Sequence, residues 1–178
     1  CHIQDFATVG DNAVIGDGTI IYPNVFIGPD VQIGTNCILY PNCVIYENCV
    51  LGNNVIINAN ATIGKDGYGY ATHKGVHHKI PQIGRVIIED DVEIGSSSSL
   101  QRGAIEDTVI GKGSKLGDLI DIGHGAKIGP HCLFIGQIGV AGSTTIGHHC
   151  VIGAQAGIVG HIKIGNCVQI AAQAGVIN

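Results

Sequence analysis

Nine histidines and seven cysteines carry the groups most able to do chemistry in this 178-residue chain. Imidazole can take up or release a proton near neutral pH, and it also ligates metals. His124 stands in the run Asp121-Ile122-Gly123-His124, and His161 follows 37 residues later in Gly160-His161-Ile162. His131 and His149 lie 18 residues apart, while His77-His78 and His148-His149 are adjacent pairs. Cys37, Cys43 and Cys49 recur every six residues, and Cys132 and Cys150 are separated by 18. No C-x-x-C pair suggests a zinc site. No Ser-His-Asp or Cys-His arrangement is evident either, so any group transfer is expected to proceed by direct attack on the donor.

These intervals reflect the elements that must position the residues. An aliphatic or aromatic anchor returns every six residues from Val9 through Ile15, Ile21 and Ile27 to Ile63. The period resumes at Ile110 and runs through Ile122, Val140 and Ile158 to Val176. Such a period marks a parallel β-helix, in which no single repeat can bury its apolar face alone. Four residues after each anchor stands a small or β-branched residue, such as Ala13, Thr19, Val25 or Cys37. That position and the next anchor are two apart, so both face inward on a short strand. Three residues after the anchor, Asn12, Gly18, Asn24, Asp30 and Asn36 supply residues that tolerate positive φ, so a tight turn closes every hexapeptide. Three sides make a triangular coil of 18 residues, and the chain predicts an all-β prism of about nine coils rising about 4.8 Å each.

Composition agrees with this reading and narrows the function. Met and Trp are absent, so a narrow core of Ile, Val, Ala, Thr and Cys is expected. Cys37, Cys43, Cys49, Cys132 and Cys150 all occupy the small inward position and read as compact hydrophobes. A Cys132–Cys150 disulfide is sterically conceivable, but free thiols in a reducing cytoplasm are the simpler expectation. Polar and Gly residues interrupt every apolar stretch, so no membrane span or secretory signal is predicted. All nine Lys and Arg residues lie between Lys65 and Lys163, so an anionic partner should prefer the middle and later coils. No concentrated basic face suggests nucleic-acid binding.

The same ruler places the histidines. Anchors Ile122 and Ile158 are 36 residues apart, so His124 and His161 share one face about two coils, roughly 10 Å, apart. Gly142 stands one 18-residue step after His124, where its backbone N–H could donate to an oxyanion. His131 and His149 occupy the turn position and read as turn residues. The period breaks twice. An insertion spans residues 65–85, KDGYGYATHKGVHHKIPQIGR, and is expected to protrude as a loop. A second slip of four residues falls between Leu100 and Ile110, around Gln101-Arg102-Gly103.

Several segments follow one family in order and spacing. They are Asp66-Gly67-Tyr68-Gly69-Tyr70, Lys79-Ile80-Pro81-Gln82 and Glu89-Asp90-Asp91-Val92-Glu93-Ile94-Gly95. Arg102-Gly103-Ala104, Asp107-Thr108, Ala141-Gly142-Ser143-Thr144, Gly160-His161-Ile162 and Ala171-Ala172-Gln173 continue the match. With them the chain resembles the UDP-3-O-acylglucosamine N-acyltransferases of lipid A synthesis, hexapeptide-repeat enzymes. The resemblance implies a left-handed β-helix, a homotrimer with active sites between prisms, and a cytoplasmic location. It implies transfer of a fatty acyl group, hydroxylated or not, from acyl carrier protein to the amine of a UDP-linked 3-O-acylated glucosamine. No cofactor or metal is expected beyond the phosphopantetheine that delivers the acyl group. His124 falls at the family's catalytic His, and His161 matches a motif position with a substrate-binding or supporting role. Residues 1–178 would then be the central β-helix alone, without the family's N-terminal nucleotide-binding domain and C-terminal helices. An insertion from a neighbouring prism could lie against His124.

Five positions depart from the family pattern. Gly117 and Asp118 stand where Asp and Asn are usual, which shifts or removes an orienting carboxylate. Asp121 replaces a usual Gln, Gly125 a usual Asn, and Gln101 a usual Asp. Other readings stay open on the same scaffold. They are a γ-carbonic-anhydrase-like zinc enzyme using its histidines, an acyltransferase for a different amino sugar, and a surface-binding solenoid. The last would need a flat face of repeated Thr that the chain lacks.

Overall fold

The computed structural model describes residues 1–177, and within them each regular hexapeptide contributes a short strand that contains its anchor, from His2–Ile3 to Gly175–Val176. Nine strands stack on each of two faces and eight on the third, forming a three-sided β-solenoid. Every pairing between coils is parallel. Partners sit 18 residues apart, as in Ile20↔Ile38 and Asp121↔Gly139. The two breaks appear as two longer steps. Ile56 pairs with Glu93 at a separation of 37, and Glu93 pairs with Lys115 at 22. Each excess leaves the prism at a corner, so the phase of the later coils is preserved.

The first excess forms an antiparallel hairpin, Tyr70–His73 with Val76–Lys79, all of whose strand residues are exposed. Lys74 and Gly75 at its tip both have positive φ, as a two-residue hairpin turn of this twist requires. The second excess bends the chain at Ala104–Glu106.

Anchors and small inward residues together make one continuous core that includes Ile21, Ile27, Leu39, Ile57, Leu100, Ile122 and Val140. Each such Ile or Leu contributes about 1.5–3 kcal/mol on burial. The five inward cysteines are fully buried and free, as the period predicts. Burial raises the thiol pKa of Cys37 and Cys132, that of Cys43 to about 12 and that of Cys49 to about 11. The structure adds a role beyond filling space. Cys37 Sγ donates to Gly52 O at 3.2 Å, and Cys132 Sγ to Gly147 O at 3.1 Å. Where the same position holds a hydroxyl, the bond is duplicated. Ser114 Oγ donates to Gly129 O at 3.0 Å and accepts from Cys132 N–H at 3.0 Å. Thr19 does the same with Gly34 O and Cys37 N–H. Small polar residues therefore satisfy corner backbone groups that the ladders leave unpaired.

The turn position has positive φ throughout, as at Asn12, Asn24, Asp30 and Asn36. It also holds Leu119 at φ 58° and His131 at 58°, so coil geometry overrides local preference there. Equivalent turns stack side chains as well: Gln155 Nε2 donates to Gln137 Oε1 at 2.7 Å and Gln173 Nε2 to Gln155 Oε1 at 2.9 Å.

Candidate active site

His124 sits at the corner that follows the strand Asp121–Ile122. Three bonds fix its backbone. Gly123 N–H donates to Val140 O at 2.7 Å, and His124 O accepts from Ser143 N–H at 2.8 Å. Gly125, at φ 66°, donates its N–H to Thr108 Oγ1 at 2.8 Å, and that buried hydroxyl donates in turn to Gln101 O at 2.7 Å. The four-residue slip thus supplies the hydroxyl that pins the corner.

The imidazole lies across Gly142 on the next coil. A β-carbon on Gly142 would fall 2.5 Å from His124 Nε2, 2.7 Å from Cε1 and 2.8 Å from Cδ2. Gly142 N–H has no hydrogen-bond acceptor among the described residues, which leaves the donor expected from the sequence free. Beside His124 opens a cleft of about 330 Å³, walled by Ala104, Ile105 and Glu106 from the slip and by Lys127, Ser143 and Thr145. Lys127 Nζ is tied to Asp107 O at its edge. His161 occupies the same corner two coils on, with φ 62° and its N–H on Gly142 O at 3.1 Å. Its side chain is exposed, and it does not line this cleft.

The root of the insertion closes the other side. A β-carbon on Gly67 would lie 2.5 Å from His124 Cβ and 2.6 Å from Gln82 Oε1, so the insertion of the same chain backs onto His124. The Arg102 guanidinium, on the coil before His124, is almost fully buried. It pairs with Glu47 at 2.7 Å and donates to Gly64 O at 2.6 Å and Glu47 O at 3.2 Å. Two departures from the family pattern prove to be reciprocal: Gln101 Nε2 donates to both carboxylate oxygens of Asp121, each at 3.1 Å. The amide and the carboxylate that depart from the pattern are thus partners of one another. Asp118 is engaged elsewhere, accepting from Ser96 N–H at 2.7 Å. At the hairpin base, the hydrogen bond that Lys79 Nζ donates to the Asp66 carboxylate raises the pKa of Lys79.

The other histidines are placed as turn or surface residues. His131 and His149 both have positive φ, and their ring centroids lie 5.1 Å apart with the planes tilted by 39°. His148 Nδ1 meets His149 Nδ1 at 2.9 Å, and His77 Nδ1 meets Thr72 Oγ1 at 2.9 Å. Among the described residues no group of three His, Cys, Asp or Glu side chains could hold a metal ion. No helix among them is long and apolar enough to cross a membrane. Thr108, Glu106 and Lys127 were not anticipated from the sequence, although the slip that carries or faces them was its visible trace.

Comparisons with known proteins agree with this architecture. The family model for the bacterial transferase hexapeptide matches residues 12–45 and 30–65. That for the hexapeptide repeat of succinyl-transferase matches residues 143–176. The UDP-3-O-acylglucosamine N-acyltransferase of Methylobacterium nodulans is 53% identical over 85 residues, 48% of this chain and 24% of that protein. That of Leptospira biflexa is 48% identical over the same length. Among solved structures, the Francisella novicida UDP-N-acetylglucosamine acyltransferase superposes with a TM-score of 0.88 at 30% identity. It covers 98% of this chain and 62% of that one. LpxA from Acinetobacter baumannii superposes with a TM-score of 0.89 at 27% identity, covering 99% of this chain and 67% of that one. The resemblance to UDP-3-O-acylglucosamine N-acyltransferases is borne out over 85 residues, about a quarter of the curated relatives' length.

Proposed function

We propose that the protein of which this β-helix is part is an N-acyltransferase of lipid A synthesis. It moves a fatty acyl group, hydroxylated or not, from acyl carrier protein to the amine of a UDP-linked 3-O-acylated glucosamine. The observation that carries the reading is His124. Its imidazole is laid over Gly142 at the mouth of a cleft, in a chain 53% identical over 85 residues to a protein of that name. The neutral amine attacks the thioester carbonyl carbon while His124 accepts the proton it sheds. Gly142 N–H donates to the oxygen that gains charge, and collapse expels the phosphopantetheine thiolate, which is reprotonated. His161, two coils along the same corner, binds the sugar-phosphate portion. No metal or other cofactor takes part. The enzyme works in the cytoplasm as a homotrimer, and domains flanking the β-helix contribute nucleotide and carrier contacts.

The decisive assay measures amide formation from the acyl carrier thioester by full-length protein, wild type against His124→Ala. Loss of about a hundredfold or more in kcat is expected; a wild-type rate in the variant would refute the assignment. A second reading has its own support, since a solved structure that covers 98% of the chain at 30% identity is a UDP-N-acetylglucosamine acyltransferase. Offering the same donor with an amine acceptor and with its hydroxyl counterpart separates the two. Ester formation alone would overturn the N-acyl reading.

A further inference from the structure

We infer that Gln101 is a positioning residue that holds the His124 side chain in place through the root of the 65–85 insertion. The inference rests on the reading of His124 as the base. Gln101 is only 6% exposed, and both ends of its amide are committed. Oε1 accepts the Tyr68 N–H at 3.2 Å, while Nε2 donates to Asp121 Oδ1 and Oδ2. Tyr68 follows Gly67, whose Cα faces the His124 Cβ so closely that no side chain fits between them. Asp121 lies three residues before His124, on the same coil. One buried amide therefore ties the insertion to the coil that carries the imidazole, and Gly67 backs onto the Cβ of that side chain.

The chemistry of the pair explains why this residue must be an amide. Asp121 offers only acceptors and the Tyr68 N–H only a donor, so the side chain between them must donate on one end and accept on the other. Gln does both. Glu at this position could accept from Tyr68 but would face the Asp121 carboxylate as a like charge. If position 121 becomes an amide at the same time, the donor and acceptor roles are restored in reverse.

The test uses full-length wild type, Gln101→Glu, the double variant Gln101→Glu with Asp121→Gln, and His124→Ala. Gln101→Glu should raise hydrogen exchange at the Tyr68 amide about tenfold or more, with core amides unchanged. It should lower kcat about tenfold and leave KM within about twofold. The double variant should bring both exchange and kcat back to within about threefold of wild type. Wild-type protection of the Tyr68 amide in Gln101→Glu, or failure of the folded double variant to recover, would overturn the role assigned to Gln101. Because exchange at Tyr68 is read without turnover, it decides this role even if His124→Ala keeps its rate and the base assignment falls.

Discussion

Replacing Gly142 with Ala places a single carbon where the His124 ring now lies. The added atom would stand 2.5 Å from Nε2, against at least about 3.4 Å for an ordinary contact, so the ring must retreat by about 0.9 Å. Three ring atoms are met at once, at 2.5, 2.7 and 2.8 Å, so rotation in its own plane cannot relieve the clash. Displacement of a reacting group by about 1 Å costs on the order of a hundredfold in rate. The fold should barely register the change. Gly142 is not among the glycines at positive φ, and Gly to Ala at a permissive site stabilises by about 0.4–1 kcal/mol through the unfolded chain. Gly142→Ala should therefore keep or slightly raise its Tm while kcat for amide formation falls about a hundredfold. Gly139→Ala is the matched control, since its β-carbon would meet nothing within 4 Å, and it should leave both readings unchanged. A Gly142→Ala protein with wild-type kcat would refute the claim that the placement of the ring over this glycine matters.

Three further outcomes follow from the packing. Ser114→Ala leaves the Gly129 carbonyl and the Cys132 N–H without partners in the core and should cost about 1–3 kcal/mol in urea unfolding, whereas Ser114→Cys should cost less because Cys132 makes the equivalent carbonyl bond. A folded protein should present two fast-reacting thiols, Cys1 and Cys167, and release the other five only on unfolding; more than two before unfolding would contradict the core. For Cys43 and Cys49 the folded pKa is raised above the ordinary value of 9.0, so the native state keeps protons that the unfolded chain releases. Their contribution is complete below pH 9 and declines between about pH 9 and the folded values of about 11 and 12. Equilibrium unfolding across that range should show stability falling as pH rises, and falling less in Cys43→Ala.

Much of the scaffold was legible because its determinants are local and repeat. Inward residues two apart, a positive-φ turn and an 18-residue return recur in each coil, so Asn36, Cys37 and Leu39 are read as the same three roles as Asn54, Val55 and Ile57. The shared corner of His124, Gly142 and His161 follows by counting. What stayed hidden is aperiodic. Arg102 meets Glu47 across 55 residues, Gln101 meets Asp121 across 20, and Gly67 meets His124 because of how an insertion folds back. No period encodes those contacts. The turn at Lys74-Gly75 was a local signal for the hairpin, but the side on which its root would lie depends on packing. Gly142 was read for its N–H and for the close approach of a thioester, whereas its missing side chain makes room for the His124 ring.

The 37-residue step that expels the hairpin has a consequence for how the chain folds. In a solenoid each coil touches only its neighbours, so a folding nucleus can form anywhere and grow by closing loops of 18 residues. Lengthening one closure to 37 roughly doubles the loop, and the closure entropy rises by only about 0.6 kcal/mol because it grows with the logarithm of length. A surface-exposed hairpin, bearing the peptide that backs onto His124, thus adds little to the entropic barrier for coil growth.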